Sequence, residues 1–178
     1  PTPPPFEADC SAQPAALQAE LSRIAASFDG QVGIGIAKAG CDWTVGAQLD
    51  RHFPQQSVSK LWVAMSLLDA VDNGQLQLDQ AITITPRDLT LFNQPLQWEV
   101  LEKGMIERPA QLLMENALSL SDNTANDRLL WTVGGPDHIR AFLKSRDIDD
   151  IRFGPGERLL QSAAAGLTWS PDLAAGRN

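Results

Sequence analysis

Ser57-Val58-Ser59-Lys60 is the segment best equipped for chemistry. A serine and a lysine at i and i+3 share one face of a helix. A serine hydroxyl is a poor nucleophile until a neighbouring group removes its proton. A lysine kept partly neutral by burial can do so, directly or through water. With Ser57 at a helix N-terminus, free N–H groups and the helix dipole would favour a developing negative charge. Alone, the same four residues also read as a helix-capping serine followed by a solvent-facing lysine.

Two further clusters bear on that choice. Ser121-Asp122-Asn123 lies between two expected helices, and all three residue types are ordinary helix caps. Glu157-Arg158-Leu159-Leu160-Gln161 offers a carboxylate and an amide on a stretch that reads as an irregular loop. Phe92, taken by itself, reads as a core phenylalanine.

The elements that must carry these groups follow from periodicity. Residues 11–28 read as a helix with Leu17, Leu21, Ile24 and Phe28 on one apolar stripe. Val32, Ile34 and Ile36 alternate with small residues as a strand whose small face would admit a helix closely. A turn at 39–42 and a second strand at 43–47 complete a hairpin. After Ser57, the residues Leu61, Met65, Leu68 and Val71 form a second stripe, closed by Asn73-Gly74. Residues 75–97 are mixed, with Pro86 and Pro95 breaking any long element. Helices are expected at 108–118, 124–133 and 136–145, the last opened by Pro136. From 149 onward the chain reads as irregular, with a stiff corner at Gly154-Pro155-Gly156. A helix, a hairpin and then many helices make an α+β protein. A two-stranded hairpin is not a stable sheet by itself, so further strands are expected from elsewhere.

The 178 residues suffice for one domain with a real core. The net charge of −8 argues against a nucleic-acid partner, which needs clustered Lys and Arg. No apolar run is long enough to span a membrane. The two histidines, His52 and His138, are too few and too isolated for a zinc site. Neither a metal nor another cofactor is expected. Gly33-Ile34-Gly35 runs from a strand into a turn and is no nucleotide fingerprint. Pro1-Thr2-Pro3-Pro4-Pro5 reads as a stiff extended leader. Cys10 and Cys41 read either as two reduced thiols or as one disulfide of an exported protein.

Taken together and in this order, S-x-x-K and S-D-N resemble the signature of penicillin-recognising serine enzymes. Glu157 then stands at the spacing past Ser121 where class A serine β-lactamases carry a glutamate in the pattern E-x-x-L-N; here the pattern is E-x-x-L-Q. The flanking stretches Arg51-His52-Phe53-Pro54, Ser121-Asp122-Asn123-Thr124-Ala125-Asn126 and Gly134-Gly135-Pro136 are similar as well. The resemblance covers roughly residues 17–161 and matches the N-terminal two-thirds of such an enzyme. It implies the β-lactamase/transpeptidase-like fold, an antiparallel sheet packed by helices plus an all-helical subdomain. Residues 1–10 are then the leader and 11–178 a single incomplete domain. Within it, 11–50 give a helix and hairpin of the sheet subdomain, and 51–178 the helical subdomain and glutamate loop.

The resemblance also implies roles. Ser57 would open a β-lactam. Lys60, Glu157 or both would take its proton, and Ser121 would hand a proton to the departing ring nitrogen. Asn123 would bind the substrate's side-chain amide, and Phe92 would stand at the pocket rim. Glu157, with Gln161 orienting a water, would hydrolyse the acyl-enzyme. A small-molecule β-lactam is the expected partner, and the periplasm or the exterior the expected location. The third motif of the family, K-T-G, occurs nowhere in these residues, so a C-terminal remainder of the same domain is expected to supply it. Gln161 departs from the family's asparagine, and extra residues at about 97–104 could reshape the rim. The same first two motifs also fit a D-alanyl-D-alanine peptidase or a penicillin-binding protein that acylates without turnover. Glu157 weighs against both.

Overall fold

The computed structural model describes residue 10 and residues 14–176. The leader read at 1–10 lies outside them apart from Cys10. The chain forms two compact units that divide after Pro54.

The first unit holds α1 (Ala15–Ser27), β1 (Ile34–Ala37) and β2 (Thr44–Ala47). The strands pair antiparallel, with Ile34 opposite Ala47 and Ile36 opposite Val45. The Gln18 side chain on α1 locks onto β2: its amide donates to the Gly46 carbonyl and accepts from the Gly46 N–H, both at 2.9 Å. Of the α1 stripe, Leu21 is buried, but Ile24 and Phe28, expected to face inward, are exposed. Side chains lie over the small residues of β1 and the position before it, Leu49 over Gly35 and Phe53 over Gly33. A methyl group added at Gly33 would lie 2.4 Å from the Phe53 ring. Cys10 and Cys41 form a disulfide, with Cα atoms 5.6 Å apart. Closing a loop of this size stabilises by about 3–4 kcal/mol in the chain-entropy view.

The second unit opens with a single 3₁₀ turn, Gln56–Ser59, that runs into α2 (Lys60–Asp72). Ser57 therefore sits in the turn just ahead of α2 rather than in the helix proper. The core-facing side of α2 differs from the expected stripe. Val63, Ala64, Leu67 and Ala70 are buried, while Leu61, Met65 and Leu68 are exposed. The helix is apolar around most of its circumference, so periodicity alone could not choose a face.

Next come β3 (Ala81–Ile84), α3 (Gln97–Lys103), β4 (Ile106–Pro109) and α4 (Ala110–Ser119). Strands β3 and β4 form a second antiparallel pair, with Ile84 opposite Ile106. Strand β3 lies in the stretch read as mixed, and β4 runs into the start of the helix expected at 108–118; a four-residue strand gives too few alternating positions to be read from periodicity. Then follow α5 (Asn123–Thr132) and α6 (Pro136–Ser145), close to their expected spans. The tail beyond 149 is less irregular than the sequence suggested: it carries α7 (Glu157–Ala164) and α8 (Pro171–Ala174). The core joins Leu67, Ile84, Leu89, Val100, Leu113, Leu129, Leu130, Ile139 and Leu143. Helices α2, α4, α5 and α6 surround it, and α7 packs on α5.

The two adjacent leucines on α2 test this assignment. Leu67→Ala should cost about 2–5 kcal/mol in urea unfolding, because it opens a cavity in a closed core. Leu68→Ala should cost less than about 1 kcal/mol. Equal costs would mean that α2 buries the other face.

Candidate active site

The site lies wholly within the second unit, and its centre is the Lys60 ammonium. Lys60 is the first residue of α2, and its side chain is 1% exposed. Its Nζ donates to the Asn123 side-chain oxygen at 2.7 Å and to the Ser121 carbonyl and hydroxyl, each at 2.8 Å. The Ser57 hydroxyl accepts from it at 3.2 Å. Glu157 Oε1 stands 3.7 Å away as the counter-charge. Five oxygens thus face three ammonium hydrogens. Ser121 O and Asn123 Oδ1 can only accept, so the two hydroxyls and the carboxylate compete for the rest.

Ser57 and Ser121 also touch directly, with the Ser121 hydroxyl donating to Ser57 Oγ at 2.8 Å. Ser121 reaches this position through a left-handed backbone, φ 56°. That conformation costs a non-glycine residue about 1–3 kcal/mol and needs outside support. Asn93 provides it. Its side-chain amide donates to the carbonyls of Leu120 and Ser121, at 2.6 and 3.0 Å, and its own carbonyl accepts from Asn123 N–H at 2.8 Å. Asp122, fully buried, caps α5 by accepting from Ala125 N–H at 2.9 Å. Asn123 is nearly buried too, and its amide nitrogen donates to the Leu91 carbonyl at 3.0 Å.

Glu157 is the first residue of α7, not part of an irregular loop as the sequence suggested, and its side chain is 2% exposed. Gln161, one turn further along the same helix, donates from its amide to Glu157 Oε2 at 2.7 Å. The other oxygen, Oε1, has no hydrogen-bond partner among the described residues and faces Lys60. Phe92 is 64% exposed with φ 64°, so it is no core residue.

The structure therefore brings Ser57, Lys60, Ser121, Asn123 and Glu157 together, with Gln161 on Glu157. Sequence reasoning missed Asn93, a lone amide in a mixed stretch without a local signal. It also missed Asp127, whose carboxylate accepts from Glu157 N–H at 2.6 Å and Arg158 N–H at 3.0 Å. A signal for Asp127 did exist: it lies four residues past Asn123, hence on the same helix face.

Burial sets the electrostatics. It lowers the Lys60 pKa, against the opposing pull of the Glu157, Asp122 and Asp127 carboxylates. Burial also raises Asp122, and it pushes Asp127 up to about 6 despite the two amides. Among the described residues, no group of His, Cys, Asp and Glu could hold a metal ion.

The model of the β-lactamase enzyme family matches residues 16–175. The chain belongs to that family. The relatives it resembles include β-lactamase VEB-1 of Pseudomonas aeruginosa, 29% identical over 83% of this chain and 49% of that protein. β-Lactamase SME-1 of Serratia marcescens is 26% identical over 90% of this chain and 53% of its own length. Among solved structures, a β-lactamase from Chitinophaga pinensis superimposes with a TM-score of 0.75 at 29% identity, over 89% of this chain and 59% of that one. The class A β-lactamase of the last common ancestor of Gram-negative bacteria gives 0.72 at 32% identity, over 88% and 57%. The fold is thus the β-lactamase/transpeptidase-like one of class A enzymes. The chain spans about half the length of the curated relatives it matches.

The lowered Lys60 pKa fixes a sign. Between its folded value and the ordinary value of 10.5, the unfolded chain binds the proton more tightly. Lys60 therefore costs the fold most while protonated, and that cost falls as pH rises through this window. A ¹³C titration of the Lys60 ε-carbon, assigned against Lys60→Arg, should show a midpoint below 10.5. A midpoint at or above 10.5 would mean that the surrounding oxygens outweigh burial.

Proposed function

We propose that this chain carries the nucleophilic half of a serine β-lactamase, which hydrolyses the amide bond of penicillins and cephalosporins through an acyl-enzyme. The observation that supports this best is the contact of Ser57 Oγ with both Lys60 Nζ and Ser121 Oγ, with the Glu157 carboxylate behind Lys60.

In acylation, Lys60 in its neutral form accepts from the Ser57 hydroxyl, the reverse of the contact in which its ammonium donates, and takes the Ser57 proton. Ser57 Oγ bonds to the lactam carbonyl carbon, and the ring C–N bond breaks. Ser121 gives its hydroxyl proton to the departing nitrogen and regains one from Lys60, which it already touches. The proton thus travels from Ser57 through Lys60 and Ser121 to the product. The Ser57 N–H supplies one donor for the oxyanion, and each such donor is worth about 100- to 1000-fold in rate. The second donor and the cation for the substrate carboxylate fall to the remainder of the domain. Asn123 keeps one amide hydrogen for the substrate's side-chain amide, and Phe92 offers an exposed ring at the rim.

In deacylation, Glu157 Oε1 takes a proton from water while the water oxygen attacks the acyl carbon and the bond to Ser57 Oγ breaks. Ser57 Oγ leaves with a proton passed on through Lys60. Gln161, by holding Oε2, leaves Oε1 as the basic atom. An exported setting, periplasmic or secreted, suits both the substrate and the Cys10–Cys41 disulfide. Among the described residues, no helix is long and apolar enough to cross a membrane.

Mass spectrometry of the full-length protein mixed with a penicillin tests this reading. The wild type should turn over, and Ser57→Ala should form no adduct. Glu157→Ala should hold the acyl adduct, with breakdown slowed by about 100- to 10,000-fold. A protein that cleaves a D-Ala-D-Ala peptide but leaves the lactam intact would overturn the assignment.

A further inference from the structure

Trp131, near the end of α5, and Leu159, on α7, are large apolar side chains left 53% exposed. Both line one cavity of about 520 Å³, together with Pro136, Phe153, Pro155 and Arg140. A methyl group at Gly135 would lie 2.9 Å from the Trp131 ring, so the indole rests directly on the backbone there. Phe153 is nearly buried and joins the cavity wall to the core. Apolar walls of this extent with a few polar groups are the usual form of a small-molecule site.

The charged group is Arg140 on α6. Its guanidinium donates to the Phe153 carbonyl at 3.1 Å and to the Asp137 carboxylate at 2.6 Å. Those bonds use two of its five N–H groups. The Asp137 side chain is 95% exposed, and an ion pair so open to water is worth little. Arg140 thus keeps donors for a second anion, and its planar fork suits a carboxylate. A cationic or strongly polar ligand would lose water against Trp131, Phe153 and Leu159 without gaining a partner. A bare anion would leave the apolar walls uncovered. An aromatic ring carrying one carboxylate meets both parts of the cavity.

The cavity stands apart from the Lys60 centre. Glu157 and Leu159 are two residues apart on α7, about 200° around the helix. Glu157 faces Lys60 and is 2% exposed, so Leu159 and the cavity lie on the other side of α7.

We propose that this cavity is a second binding site, for a small aromatic carboxylate whose ring meets Trp131 and Leu159 and whose carboxylate pairs with Arg140. The site does not depend on the reading of Ser57 as a nucleophile.

The test titrates 2-naphthoate into the full-length protein and follows the assigned ¹H–¹⁵N signals of the Trp131 indole, Gly134 and Gly154, all on the cavity wall. These signals should shift and saturate with a Kd on the order of 1 mM, the scale for so small a ligand. Neutral 2-naphthamide should bind at least about fivefold more weakly. Arg140→Gln should bring naphthoate down to the level of the amide. Asp137→Asn, which removes the competing carboxylate, should tighten naphthoate by about 1.5- to 5-fold, the worth of an exposed ion pair. Leu159→Trp, at an exposed position, should block both probes and decides the matter should Arg140→Gln fail to fold. Equal affinity of the two probes for the wild type overturns the proposal, as does naphthoate binding that is unchanged in Arg140→Gln or Leu159→Trp. Two further results overturn it: no saturating shift at Trp131 up to about 10 mM, or shifts confined to Ser57 and Asn123, which would put the acid in the catalytic pocket.

Discussion

The structure depends on the burial of one ammonium group. Lys60 sits at the start of the central helix with almost no access to solvent, where an unpaired charge would cost several kcal/mol. No single partner offsets that. The compensation comes from oxygens on three separate stretches: the turn before α2, the Ser121–Asn123 approach to α5, and the start of α7. Each stretch must therefore arrive at the same point. The packing of α2 against α5, and of α5 against α7, follows from that need as much as from the apolar core.

A second layer of polar contacts holds those stretches in place. The left-handed backbone of Ser121 is held through its carbonyl, which accepts from both the Asn93 amide and the Lys60 ammonium. Thr90, Gln94 and Thr124 form a closed buried set, with Thr124 Oγ1 and Gln94 Oε1 accepting from Thr90 N–H at 3.1 and 3.0 Å. The Gln94 and Gln97 amides then both reach the Ala174 carbonyl, at 2.9 and 2.6 Å. Trp169 donates to the Leu89 carbonyl and lies under the Arg158 guanidinium. The segment that carries Glu157 is thus pinned at both ends, by Asp127 at its start and by the residue 89–97 stretch after it. Networks of this kind are specific because each member satisfies another, and a half-filled one would be worse than none.

Much of this was legible in the sequence, for identifiable reasons. Residues 124–133 and 136–145 carry caps, a proline start and clear periodicity, and their helices appear close to the expected positions. The motif residues on and before α2, α5 and α7 were found because residue type and order carried the signal. What failed was whatever depended on contact between distant segments. The face of α2 was misread because Leu67 and Leu68 are equally apolar, and only the neighbours decide which is buried. Helix α3 was missed because its seven residues bury only Val100. Helix α7 was read as loop because its cap is donated by Asp127, thirty positions away in the chain. The resemblance to class A enzymes placed the carboxylate but could not say that it opens a helix.

The distribution of cost follows the same logic. Lys60, Asp122, Asp127 and Glu157 are all nearly inaccessible, and burial works against the charged form of Lys60, Asp122 and Asp127. A sequence selected for stability alone would replace such groups by apolar ones of similar size. Their immediate neighbours show what makes the cost tolerable. Val63 and Leu67 follow Lys60 on the same helix face, Ala125 lies between Asp122 and Asp127, and Leu129 and Leu130 lie just beyond. The charged centre and the apolar core are therefore carried by the same helices, within one or two turns of each other. The core fixes the helices rigidly enough to hold five oxygens around one nitrogen. In turn, the demands of that nitrogen leave the helices only one arrangement in which to pack.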